Sequence, residues 1–388
     1  MCPEVVYSVR NLTKKFPVRR GFTSSLFGEE LNVHAVNGIS FDVHRGEILG
    51  VVGESGCGKT TTGRILVRLE NPTSGDLVFK GVETSGLEGR ELKEFRRRVQ
   101  MVFQDPYESL NPRFTVYATV AEPLIVHRVG ETEDERIEMV SRALESAELK
   151  PAGEFLYRFP HELSGGQRQR VAIARTLVLR PDFIVADEPV SMLDVSIRAG
   201  IMNLMLNLKD EFDIPFVFIS HDVSVTRYMS HRIAVMYLGH IVEIGEADQV
   251  IKTPAHPYTE ALLSAVPVPD PTVRHGRVQI KGELPSPIHL PSGCTFHPRC
   301  VYRKDLCKEV VPPMKEISPG HFALCHFAGE LPTKTPEEIG ALEKGFCAQC
   351  GEPVVPGIPS ISCVCPKIYH QTCGASLGRC PSCDARLS

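Results

Sequence analysis

His161-Glu162-Leu163-Ser164-Gly165-Gly166-Gln167 is the stretch whose reading decides the fold. A serine followed by two glycines reads as a turn that opens a helix. Ser164, Gly165, Gly166 and Gln167 then offer backbone N–H groups and the positive end of a helix dipole to an anion. Upstream, Gly53-Glu54-Ser55-Gly56-Cys57-Gly58-Lys59-Thr60 matches the phosphate-loop pattern G-x-x-x-x-G-K-[ST]. It sits between the apolar run 47–52, which reads as a buried parallel strand, and the helically spaced segment 62–69. Downstream, Phe183-Ile184-Val185-Ala186-Asp187-Glu188 is a second apolar strand that ends on two carboxylates.

Each residue type suits phosphate chemistry. The glycines let the backbone of residues 53–58 wrap an anion with successive N–H donors. Lys59 reaches the β- and γ-phosphates of a nucleotide, the Thr60 hydroxyl is placed for Mg²⁺, and Thr61 follows on the phosphate side. Cys57 reads as a small residue that fits the loop rather than a redox group. Asp187 would hold the Mg²⁺ shell, and Glu188 would polarise an attacking water. Gln104, closing Val99-Gln100-Met101-Val102-Phe103, and His221, following Phe216-Val217-Phe218-Ile219-Ser220, sit at strand ends where γ-phosphate sensors belong. Gln104 would also join Thr60 and Asp187 around the metal.

The 388 residues, 42% hydrophobic and 23% charged, describe a globular chain long enough for two or more domains. A net charge of −4 argues against nucleic acid or an acidic membrane surface as the main partner. No apolar run approaches the ~18 residues of a spanning helix, and the first residues do not read as a signal peptide. Any membrane link is therefore expected through a partner. Alternation predicts strands at 5–10 and 38–43. The region from Pro106 to about Leu179 reads mainly as helix, with a helical subdomain expected over about 105–179. Strands at 183–187, 216–220 and 232–237 then alternate with helices at 196–212 and 222–230. This order implies an α/β fold with a mostly parallel sheet. Nine prolines over 254–298 suggest an irregular extension.

These residues together resemble the ATPase subunits of the ABC importer family for oligopeptides, dipeptides and nickel, over roughly positions 4–328. The resemblance rests on residues 53–60, Gln104 with residues 105–112, Leu163 to Gln167 with Arg168-Gln169-Arg170, residues 187–196 and His221. It implies a P-loop ABC ATPase domain over 1–253, followed by a transporter-type C-terminal extension over 254–328. It also implies ATP and Mg²⁺ as ligands and a head-to-tail dimer in which each ATP lies between one subunit's P-loop and the other's signature turn. Phe16 would stack on adenine. The implied partners are a homologous ATPase subunit (a heterodimer), two multi-spanning permease subunits and, indirectly, an extracytoplasmic substrate-binding protein. The implied location is the cytoplasmic face of the membrane.

Only Cys2 and Cys57 of the 13 cysteines precede position 294, and such clustering argues for metal rather than disulfides. Cys294, Cys300, Cys307 and Cys325 lack C-x₂-C knuckles, and four thiolates in a Pro-rich loop can hold a [4Fe–4S] cluster. Some members of the resembled family are understood to carry one there; zinc and free thiols remain the alternatives. After a linker at 329–345, the tail 346–388 carries Cys347, Cys350, Cys363, Cys365, His370, Cys373, Cys380 and Cys383, a zinc pattern. Its order resembles RING and PHD cross-brace modules. Interleaving would place Cys347, Cys350, His370 and Cys373 on one Zn²⁺ and Cys363, Cys365, Cys380 and Cys383 on the other. Two successive ribbons are the other pairing. The functional expectation is the energy-coupling ATPase of a peptide-type importer; the competing one is a soluble ABC ATPase using a zinc adaptor on nucleic acid or ribosomes.

Overall fold

The computed structural model describes residues 4–18, 31–105, 110–265 and 282–331, with four further short strand segments between 345 and 370. The chain opens with two long strands, β1 (Val5–Pro17) and β2 (Asn32–His44), which pair antiparallel. The buried strand β3 (Ile48–Val52) then runs into the helix Lys59–Leu66. Next come β4 (Ser74–Phe79), β5 (Val82–Glu83), the helix Gly89–Arg98 and β6 (Val99–Val102). A helical region precedes β7 (Phe183–Asp187), β8 (Phe216–Ser220), β9 (Arg232–Tyr237) and β10 (His240–Glu246). The extension adds β11 (Met314–Ser318) and β12 (His321–Leu324).

Two sheets result. One is antiparallel, in the order β2-β1-β4-β5. The other has eight strands in the order β11-β12-β10-β9-β3-β8-β7-β6, parallel from β9 through β6 and antiparallel from β9 through β11. Strands β3, β7 and β8 are buried at every position, as expected where both faces of a parallel sheet are covered. Between the two sheets the Tyr7 ring packs on Phe183 and Phe79 with centroids 5.1 and 5.7 Å apart, and Phe79 meets Phe95 edge-on. Burying each such ring contributes roughly 1.5–3 kcal/mol.

On the opposite face, the helices Val116–His127, Glu133–Ser146 and Gly165–Leu177 pack through Val120, Leu124, Val140, Leu144, Val171 and Ala174. Among its described residues, the expected helical region holds three helices and two 3-10 turns. Thr115 and Thr132 cap the first two helices by accepting backbone N–H bonds. Strand β1 extends well past the predicted 5–10. The Pro-rich region is not irregular throughout. Pro257 starts a helix, Pro257–Ser264, at a position where its missing N–H costs nothing, and β12 pairs with the edge of β10. Buried Glu243 locks that junction by accepting from the Ala255 and His256 N–H groups and facing His321 Nε2 at 2.7 Å. Among the described residues no helix is long and apolar enough to cross a membrane. The side chains of the predicted zinc tail lie outside the described residues.

Candidate nucleotide site

The ends of β3, β6, β7 and β8 lie side by side in the parallel part of the sheet, so whatever follows each strand gathers along one edge. After β3 the chain turns through residues 53–58 into the helix starting at Lys59, with Gly58 in the left-handed region at φ 105°. Lys59 is buried, and its Nζ donates to the carbonyls of Gly53 (2.7 Å) and Glu54 (3.0 Å), which hold the ammonium over the loop. Cys57 is fully buried, and burial pushes its thiol above the usual range. It behaves as a loop-filling residue.

The Thr60 hydroxyl donates to Asp187 Oδ1 at 3.2 Å. Both line an open cavity of about 420 Å³ with Arg64, Phe103, Gln104, Asp105 and Arg175. Burial raises the Asp187 carboxyl above its ordinary range; the Thr60 contact opposes this and the neighbouring Glu188 charge adds to it. Hydroxyl and carboxylate oxygens are the donors a hard cation such as Mg²⁺ takes, and its charge would favour the ionised Asp187. The residues present therefore fit the metal.

Glu188 follows β7 with φ at 46°, a strained value for a non-glycine residue. Its N–H donates to the Ile219 carbonyl on β8, and its own carbonyl accepts from the Ser191 hydroxyl. The carboxylate is met from both sides: Gln104 Nε2 donates to Oε2 at 3.1 Å, and His221 Nδ1 faces the same oxygen at 3.1 Å. Gln104 lies 84 positions before Glu188 and His221 lies 33 after it, yet they meet at one atom.

The signature turn stands apart as an exposed helix start. Ser164 Oγ accepts from the Gln167 N–H, and Gln167 Oε1 accepts from the Ser164 N–H, forming a capping box. The next two N–H groups, of Gly165 and Gly166, have no helical carbonyl to bond and remain for an anion. Gly166 must be glycine, because a Cβ there would lie 2.7 Å from Ile197 Cγ2. Phe16 lies on β1, partly exposed, with Lys14 Nζ 4.6 Å from its ring centroid.

Cys294, Cys300, Cys307 and Cys325 line one small cavity of about 20 Å³ with His256, Phe296, His297 and His326. Burial raises the Cys294 thiol to about 11 and the Cys300 thiol to about 12. Among the described residues no group of three or more His, Cys, Asp or Glu is arranged to hold a single metal ion. Two contacts that the sequence reading did not anticipate tie this region to the P-loop. Arg299 Nη1 donates to both carboxylate oxygens of Glu54, and the Tyr258 hydroxyl accepts the Glu54 N–H. Both residues belong to the extension, but nothing local in sequence points them at position 54.

A family model for the ABC transporter matches residues 36–191, and one for the oligopeptide/dipeptide transporter C-terminal region matches residues 242–307. The oligopeptide transport ATP-binding protein AppF of Bacillus subtilis (strain 168) is 49% identical over 326 residues, covering 83% of this chain and 97% of that protein. A putative peptide import ATP-binding protein of Brucella ovis is 46% identical over 318 residues, covering 82% and 96%. The dimeric, ADP- and Pi-bound ATP-binding cassette MJ0796 is 32% identical, with a TM-score of 0.54, covering 62% of this chain and 98% of that one. The chain therefore belongs to the ABC transporter ATPases of the oligopeptide/dipeptide import family.

Proposed function

We propose that this chain hydrolyses ATP as the energy-coupling subunit of a peptide-type importer, with dimerisation on ATP driving uptake. The observation that carries the reading is the meeting of Gln104 and His221 on the Glu188 carboxylate, beside the Thr60–Asp187 pair. Lys59 would neutralise the transferred phosphate's charge, Thr60 and Asp187 would hold Mg²⁺, and Glu188 would take a proton from the attacking water. Gln104 and His221 orient that carboxylate and report the γ-phosphate. Ser164 to Gln167 serve the nucleotide on a second, homologous ATPase subunit, and Phe16 stacks on adenine. The proposed domains are residues 1–253 for the ATPase, 254–328 for the extension, 329–345 for the linker and 346–388 for the tail.

A groove of about 200 Å³, lined by Val67, Leu69, Arg96, Gln100, Phe103 and Pro123 among others, suits a short helix from a permease subunit. Its position beside Gln104 would let ATP-driven closure pull on the transport path. This would hold the chain peripherally at the cytoplasmic membrane face. Two buried and two half-buried thiols around one cavity, without C-x₂-C knuckles, are assigned to a [4Fe–4S] cluster in preference to zinc. The eight tail ligands are assigned to two Zn²⁺, in a partner-docking or stabilising module. The match of residues 242–307 to the transporter C-terminal region weighs against a ribosome- or nucleic-acid-directed ATPase. Cells lacking this chain should lose uptake of a labelled peptide mixture, regaining it with the wild-type chain and not with Lys59→Ala. Unchanged uptake on deletion, with the chain recovered on ribosomes, would overturn the reading.

A further inference from the structure

Every backbone and side-chain polar group of Glu54 is engaged, and the extension supplies three of its five hydrogen bonds. The Glu54 N–H donates to the Tyr258 hydroxyl at 2.9 Å, and its carbonyl accepts from Lys59 Nζ at 3.0 Å. Its carboxylate accepts from Arg299 Nη1 at 3.0 and 3.2 Å. The Arg299 side chain is only 9% exposed and that of Glu54 27%, so this pair is partly shielded from water and holds a more defined geometry than a loose surface contact. The guanidinium lies 5.8 Å from the Tyr237 ring centroid. Tyr237, Tyr258 and Phe296 form a three-ring cluster with centroids 4.7 to 5.5 Å apart. This cluster fixes both P-loop contacts against one another.

The same short segment walls the four-thiol cavity. Arg299 precedes Cys300 directly, and Phe296 follows Cys294 by two positions and itself lines the cavity. Backbone bonds make the segment stiff: the His297 N–H donates to the Cys294 carbonyl, and the Arg299 and Cys300 N–H groups both donate to the Phe296 carbonyl. A change in where Cys294 and Cys300 sit must move Arg299, because no free backbone turn separates them.

We propose that Arg299 is a positioning residue for nucleotide binding, clamping the P-loop through Glu54 and transmitting the state of the four-thiol cavity to ATP affinity. The proposal rests on the nucleotide-site reading above. In the extension the thiol cavity then tunes the nucleotide site and need not carry electrons. The clamp acts on the start of the loop, before the phosphate-binding turn, so its effect falls on nucleotide affinity more than on the hydrolytic step.

The test is the Mg²⁺-dependent affinity of the full chain for a fluorescent N-methylanthraniloyl ATP. Arg299→Met and Glu54→Gln should each weaken binding about fivefold, somewhat less than the loss of a full charge-assisted hydrogen bond. The double variant should be no weaker than the worse single, the signature of two residues acting through one contact. Arg299→Lys should recover part of the affinity, and circular dichroism melts should report folded protein throughout. Cys300→Ser should weaken binding in the wild-type background and add nothing in the Arg299→Met background. Affinities within twofold of wild type for both single variants would overturn the clamp. Full additivity in the double variant would do the same. A Cys300→Ser effect that is absent, or equal in both backgrounds, would overturn the transmission. Loss of binding in Lys59→Ala alongside unaltered Arg299→Met would leave the nucleotide site standing and remove only this proposal.

Discussion

Glu188 Oε2 receives the Gln104 amide and faces His221 Nδ1, each at 3.1 Å, while the residue's own backbone is held in a left-handed conformation. Three elements thus aim one carboxylate oxygen, and that precision is what a proton acceptor needs and a packing residue does not. Glu188→Gln keeps an oxygen for the Gln104 amide and nearly the same volume, so the fold and ATP binding should persist. The steady-state ATPase rate of the assembled complex should fall by roughly 10²–10⁴. A rate near wild type would show that another group takes the proton. At this scale the site was legible because phosphate chemistry demands fixed residue types at fixed spacing: glycines, Lys59 and Thr60 in one run, and paired carboxylates at a strand end. Arg299 was not legible in that way. Its partner Glu54 is 245 positions away, and an arginine beside a cysteine suggests nothing about a loop so distant.

Among the elements, the parallel strands were readable as short continuous apolar runs, since burial on both faces removes the polar alternation. The antiparallel edge was harder. In β12 buried and half-buried positions alternate over only four residues, and β11 has no fully buried position, so neither leaves a strong periodic signal. What joins them to the sheet is a long-range match: Glu243 beneath His321, and Ile244 opposite Phe322. The extension is therefore a strand pair docked on the ATPase sheet with a thiol-lined loop beside it. The proline count alone suggested only irregular chain. Its four thiols are the element's distinctive chemistry. Metal analysis of anaerobically purified protein should find about four iron atoms, a visible charge-transfer band and about two zinc ions per chain. Zinc alone, near three per chain, would make both cysteine regions structural zinc and discard the cluster. Protein that holds neither iron nor zinc as purified anaerobically would discard both.

For the whole molecule, the decisive observation is that the phosphate loop and the signature turn, the two proposed anion-binding elements, stand apart. Thr60, Gln104 and Asp187 line one cavity, whereas Ser164 and Gly165 open a helix in the helical layer and do not line that cavity. A chain with two half-sites on separate surfaces completes neither alone, and a head-to-tail pair completes both. That arrangement follows from where the elements pack, not from any one motif. Sequence order supplied the motifs, and the family resemblance supplied their division between subunits. In a Glu188→Gln background, where bound ATP persists, ATP should drive association of this chain with its homologous partner, read by light scattering. Adding Ser164→Arg places bulk and charge on the turn, at a local cost of about 1 kcal/mol for the lost cap. Nucleotide binding by the isolated chain should stay within about twofold, because its P-loop is untouched, while ATP-dependent association disappears. Association undiminished by Ser164→Arg would mean that each chain closes its own nucleotide site, and the paired mechanism would fall with it.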